Sequence, residues 1–348
     1  MQDCIQLATK GMVMNASRYT AVDNFFSKFP KSNLKETLII IFGCFLLSSS
    51  LLADDWNVGF QIVQISDPVV DSNVEVAIWY PTKTVSRKET VGMTVLNVAK
   101  EAEPISFSRG LIIISHGFSG NFLGHNGTAQ FLAKHGYVVA TPTHPDLFGL
   151  RSGRVDFDPL VARPRHIKLV IDELLNKSLF KTILLEKHIG IIGFSLGAYA
   201  ALNASGAQPD LSGLAAYCKI ESQDFLLCGV QARRRLTAVS SNLLSRKDSR
   251  IDGVVLLAPA YGPLFTENSF ANVTTPVRIF SAEKDKELDG QHHAKHFEKL
   301  LSFRAVHEVV KNAGHFVFMS PCSNKLRLAV PTVCQDDEFI DRVDIHRN

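Results

Sequence analysis

The sequence predicts an α/β protein whose sheet is doubly wound, mostly parallel and flanked by helices, opening with an antiparallel strand pair. Three observations carry that expectation. Short runs of β-branched residues recur without polar alternation, the mark of strands buried on both faces. Helix-length stretches separate them, as parallel crossovers require. Ahead of this alternation, two runs with period-two patterning lie close together, as paired antiparallel strands do.

The alternating pair is Phe60–Ile65 and Val74–Tyr80, with Pro81 closing the second. Buried-type strands follow at Leu111–Ser115, Tyr137–Thr141, Ile189–Phe194, Val254–Leu257 and Val277–Phe280. Ala305–Val310 is more polar and suits a sheet edge. Helices are expected near Asn126–His135, Arg163–Leu175, Leu196–Ala204 and His292–Leu301. Two stretches break the rhythm. Asp146–Val161 carries Gly149, Gly153 and Pro159; Ser205–Ser249 carries two cysteines and Arg233-Arg234-Arg235. Each is either a roof over a pocket or a surface insertion, and the arginine cluster reads as a solvated loop or helix face.

The chain has 348 residues, 46% of them hydrophobic, enough for a large core in one domain. A formal charge of +3, evenly spread, argues against a nucleic-acid partner. Residues 1–53 read as a leader. Lys28, Lys31 and Lys35 precede the apolar run Thr37–Leu47, and small residues lead to Ala53. That order describes a secretory signal cleaved after Ala53, which sends the 54–348 domain to the periplasm or the medium. An uncleaved membrane anchor is the alternative, because Leu51 suits a cleavage site poorly. Cys4 and Cys44 leave with the leader, so Cys218, Cys228, Cys322 and Cys334 remain. Near neighbours are expected to pair, Cys218 with Cys228 and Cys322 with Cys334.

Gly193-Phe194-Ser195-Leu196-Gly197 carries the chemistry. This G-x-S-x-G lies between a buried-type strand and a helix-forming stretch, where a sharp turn lifts the serine hydroxyl clear of the backbone. Gly193 and Gly197 leave out the Cβ atoms that would clash there. A serine needs a base, and the base needs an orienting carboxylate, supplied in this order by loops after later strands. His315 alone among twelve histidines follows a final strand through a glycine turn and is the expected base. Asp285 is preferred over Glu283 as the acid; Glu287 and Asp289 are weaker candidates. Two backbone amides must stabilise a developing oxyanion. Leu196 offers one, and Phe118 of His116-Gly117-Phe118-Ser119-Gly120 offers the other, with Gly117 permitting the turn and His116 supporting it structurally. His292, His293 and His296 have metal-like spacing, but a solvated helix face is the preferred reading, and neither metal nor cofactor is expected.

With these pieces the chain resembles the α/β-hydrolase superfamily. Within it, the chain is similar to bacterial predicted dienelactone hydrolases and to platelet-activating-factor acetylhydrolases. The carrying segments are Val76–Pro81, His116–Gly120, His135–Ala140, Pro142–Pro145, Gly193–Gly197 and Ala313–Phe316. The resemblance implies a Ser195, Asp285 and His315 triad with Phe118 and Leu196 as the oxyanion hole. True dienelactone hydrolases carry a cysteine nucleophile where this chain has serine. The implied activity is hydrolysis of short acyl esters, including acetylated phospholipids, through an acyl-enzyme. The expected partner is a small-molecule or lipid ester, with transient membrane contact. The alternatives are an inactive binding protein on this fold, or a peptidase or thioesterase using the same triad.

Overall fold

The computed structural model describes residues 56–345, apart from 177, 185–187, 225 and 337–339. The expected leader, its cleavage site, Cys4 and Cys44 lie outside the described residues. Among the described residues, ten strands form one sheet: β1 (Asn57–Asp67), β2 (Ser72–Thr82), β3 (Arg87–Val91), β4 (Thr94–Lys100), β5 (Leu111–Ser115), β6 (Val138–Pro142), β7 (Ile189–Phe194), β8 (Ile251–Leu257), β9 (Val277–Ala282) and β10 (Ala305–Val310). Their order is β10-β9-β8-β7-β5-β6-β2-β1-β4-β3. From β6 to β10 every neighbouring pair is parallel, whereas β2 runs antiparallel to both β1 and β6. This is the α/β-hydrolase fold with an antiparallel N-terminal edge. All eight expected strands are present.

The β3–β4 hairpin is an addition to the sequence expectation. Its strands are short, β3 is largely polar, and β4 buries only Leu96, Val98 and Ala99. An edge that buries one face gives too few apolar residues to register as a strand pattern.

Among the described residues, ten helices accompany the sheet: α1 (Asn126–Lys134), α2 (Asp146–Ser152), α3 (Pro159–Asn176), α4 (Leu196–Ala204), α5 (Leu214–Ile220), α6 (Val230–Val239), α7 (Ala294–Leu301), α8 (Asn324–Ala329), α9 (Pro331–Cys334) and α10 (Arg342–Ile345). Alternation along β2 shows how the sheet is covered. Val74, Val76, Ile78 and Tyr80 pack with apolar residues of α3 and α4, whereas Ala77 and Trp79 pack toward α1. Each fully buried large side chain contributes about 1.5–3 kcal/mol relative to exposure. Trp79 also donates its Nε1–H to Thr141 Oγ1 at 3.0 Å, so its one polar atom is satisfied.

Both expected disulfides are present. Cys218–Cys228 ties α5 to the approach of α6, and Cys322–Cys334 ties the segment after Phe318 to α9. Among the described residues, no helix is long and apolar enough to cross a membrane.

Candidate active site

Ser195 is the residue between β7 and α4, with φ 52° and ψ −115°. A non-glycine residue there carries strain of about 1–3 kcal/mol, so the surroundings must over-determine it. They do. Its N–H donates to the Leu257 carbonyl at 2.9 Å, and its own carbonyl accepts from Ala198 and Ala260. The two motif glycines make the turn sterically feasible. A Cβ on Gly197 would lie 2.0 Å from the Ser115 carbonyl oxygen, and one on Gly193 would lie 2.4 Å from the Gly197 oxygen. The start of α4 is therefore pressed against the end of β5, and the Leu196 N–H belongs to the first helical turn, which lacks intrahelical acceptors.

His315 follows β10 through a turn containing Gly314 and opens a short 3-10 segment, His315–Phe318. Its Nδ1 lies 2.7 Å from Asp285 Oδ2, with both side chains more than nine-tenths buried. Asp285 is itself fixed, because Oδ1 accepts the N–H groups of Glu287 and Leu288, each at 2.9 Å. With Nδ1 donating to the carboxylate, Nε2 is left as the basic nitrogen. Glu283, the competing acid, is exposed and takes Lys311 Nζ and the Asn312 N–H instead, tying the exit of β9 to the exit of β10. Asp289 is engaged with His292. Ser195, Glu287 and His315 line one cavity of about 680 Å³. No hydrogen bond joins Ser195 Oγ to the imidazole among the described contacts. Such catalytic bonds often tighten only when substrate is bound.

The loop after β5 is held from behind by buried polar groups. His116 is fully enclosed: its Nε2 accepts the His144 N–H at 2.9 Å, so its proton sits on Nδ1, 2.6 Å from the Gly117 carbonyl. Desolvation, helped by the nearby Arg163 charge, lowers its pKa to about 3. His116 is thus held neutral and bonded within its own loop. Arg163 of α3 donates to the carbonyls of both His116 and Gly117 and pairs with Asp146, whose Oδ2 accepts the Ser119 N–H.

A second chain runs beneath the first. Ser115 Oγ lies 3.0 Å from His144 Nε2, His144 Nδ1 is 3.1 Å from His166 Nδ1, and His166 Nε2 is 3.2 Å from Asp67. Donors and acceptors match along its length if each hydrogen points toward Asp67. Burial holds both histidines neutral by lowering their pKa values. Burial alone would raise the Asp67 carboxyl, but hydrogen bonds from His166 and Arg165 hold it well below the usual range.

Sequence reasoning missed Arg163, Asp146, His144, His166 and Asp67. A signal for Arg163 did exist. It shares the helical stripe of Ile167, Val170, Ile171 and Leu174, all buried, and a charge on such a stripe demands a partner.

The interrupting segments are part of the site's surroundings. A second cavity of about 510 Å³ shares Phe118 and Leu226 with the first and also touches Leu196. Leu150 and Val155 of the first segment line it, as do Arg234, Arg235 and Val239 of the second. The arginine cluster is therefore not simply a solvated face: Arg235 is largely buried and pairs with Asp158 at 3.3 Å. The histidine trio also differs from expectation. His293 is buried, and its Nδ1 accepts the Gly262 N–H at 3.2 Å, while His296 Nε2 meets the Phe265 carbonyl at 2.9 Å. His292 and His296 are half-buried, and His292 is held against Asp289.

No family model matches the chain, and no curated protein does. Among solved structures, the chain is similar to a ferulic acid esterase from Streptomyces cinnamoneus, at 15% identity and a TM-score of 0.52. The likeness covers 82% of this chain and 81% of that one, and it shows the shared fold.

Proposed function

We propose that the protein is an exported serine esterase acting on apolar acyl esters through an acyl-enzyme. The observation that carries this reading is the buried His315–Asp285 pair, whose histidine lines the same cavity as a serine on a strained strand-to-helix turn. Ser195 Oγ attacks the ester carbonyl as His315 Nε2 takes its proton. The imidazolium, stabilised by Asp285, then protonates the leaving alcohol. The Leu196 and Phe118 amides stabilise the tetrahedral oxyanion. Water enters by the same route and releases the acid. The chemistry requires no metal or organic cofactor.

The larger cavity supports an apolar substrate, since Met93, Leu123, Phe316, Met319 and Val333 line it. An esterase on the same fold supports ester hydrolysis over other acyl transfers. Short-chain esters, including acetylated phospholipids, are the proposed class. Two disulfides fit an oxidising compartment and so support export.

Hydrolysis of p-nitrophenyl esters of increasing acyl length by wild type and Ser195→Ala tests the reading. Turnover should depend on chain length and fall by about 10⁴-fold or more in the variant. A Ser195→Ala protein as fast as wild type overturns it.

A further inference from the structure

We propose that Arg163 is a positioning residue that aims the Phe118 amide at the oxyanion; this rests on the Ser195 reading above. Three consecutive peptide groups of the loop after β5 are fixed by one buried ion pair. Arg163 Nη1 donates to the His116 carbonyl and Nη2 to the Gly117 carbonyl at 2.9 Å. Asp146, bound to Arg163 through Nε at 2.9 Å, accepts the Ser119 N–H at 2.9 Å.

The direction of the Phe118 N–H follows from covalent geometry. In a trans peptide the carbonyl oxygen of one residue and the N–H of the next point opposite ways across the plane. Fixing the Gly117 oxygen on Arg163 therefore turns the Phe118 N–H away from Arg163. The loop lies against the serine turn, because a Cβ on Gly117 would come within 3.4 Å of Ser195 Cβ. Phe118 and Ser195 also line the same cavity. A flipped Gly117–Phe118 peptide would break the Arg163 bond and present a carbonyl where a donor is needed. The cationic donor also polarises that peptide and strengthens its N–H as a donor.

Stability alone accounts poorly for this pair. Both side chains are essentially inaccessible to water, and apolar residues of similar volume commonly fill such positions without loss. A rigid fork that can hold two adjacent carbonyls and a carboxylate at once is a property of arginine and not of lysine.

Two variants test the proposal. Arg163→Lys keeps the charge but loses the fork, and the paired Arg163→Met/Asp146→Leu replaces both charges together. Each is assayed for kcat and KM on a p-nitrophenyl ester that wild type hydrolyses. Binding of a trifluoromethyl ketone, which mimics the tetrahedral adduct, is compared with binding of the matching non-reactive alcohol. The expected result is a kcat lower by about 10²–10³-fold in the paired variant, the scale of losing one oxyanion donor. KM and alcohol affinity should hold within about threefold, while ketone affinity falls in step with kcat. A folded variant with wild-type kcat and ketone affinity overturns the proposal, as does a loss confined to KM. If the paired variant does not fold, Arg163→Lys decides by the same readouts, with a smaller expected loss. A wild type without esterase activity would instead remove the hydrolase reading, and this proposal with it.

Discussion

Ser195 and Asp285 show how far single residues were readable. The serine was marked by its glycines, whose need is now a matter of contact: a methyl group at position 197 would strike the Ser115 carbonyl. The acid was harder, because Glu283 and Asp285 both lie just beyond β9. Glu283 is exposed and drawn below the usual carboxylate range by the Asn312 amide and Lys311. Asp285 meets the imidazole. Asp285→Asn should therefore lower kcat by about 10³–10⁴-fold, the scale of a lost orienting carboxylate, in steady-state ester assays. Glu283→Gln should leave kcat within about threefold, since exposed pairs contribute little. Equal losses in both variants would undo the assignment of Asp285.

Among the elements, the central strands and the helix after Ser195 were legible because their apolar runs have no other reading. The β3–β4 hairpin and helices α5 and α6 were not, because they are short, bury few residues and depend on long-range contacts for their order. The segment from Cys322 to Cys334 belongs with these. Its short helices follow no apolar period, yet Cys322, Leu326, Val330 and Val333 line the main cavity. The disulfide holds them there, and closing a loop of this length contributes about 3 kcal/mol. Replacing both cysteines by serine should lower the melting temperature by several degrees and raise KM for apolar esters more than it lowers kcat. Calorimetry with matched kinetics checks this; unchanged melting and KM would separate the disulfide from the cavity.

At the scale of the whole molecule, polar groups buried behind the sheet set the response to acid. His116, His144, His166 and His293 all have pKa values lowered chiefly by burial, His293 to about 4. Unfolding returns each to about 6.5. Between that value and the folded one, the unfolded chain binds more protons, so stability rises with pH across this window and is lost as pH falls through it. Each fully neutral buried histidine contributes up to about 1.4 kcal/mol per pH unit there. The melting temperature should drop steeply from pH 6.5 to pH 5, before most carboxylates titrate. His293→Gln, which keeps an acceptor for the Gly262 N–H, should flatten the curve. A melting temperature constant from pH 7 to pH 5 would contradict this. Apart from His116, the polar network was not read from the sequence: its partners lie far apart in the chain, Asp67 from His166 and Asp146 from the loop it supports, and only the fold brings them together.

The most direct test of the account is mass spectrometry of the protein after titration with a fluorophosphonate. The expected result is one adduct per chain, on the peptide containing Ser195, formed far more slowly in Asp285→Asn. An unmodified protein, or an adduct on another side chain, would contradict the claim that His315 and Asp285 activate Ser195.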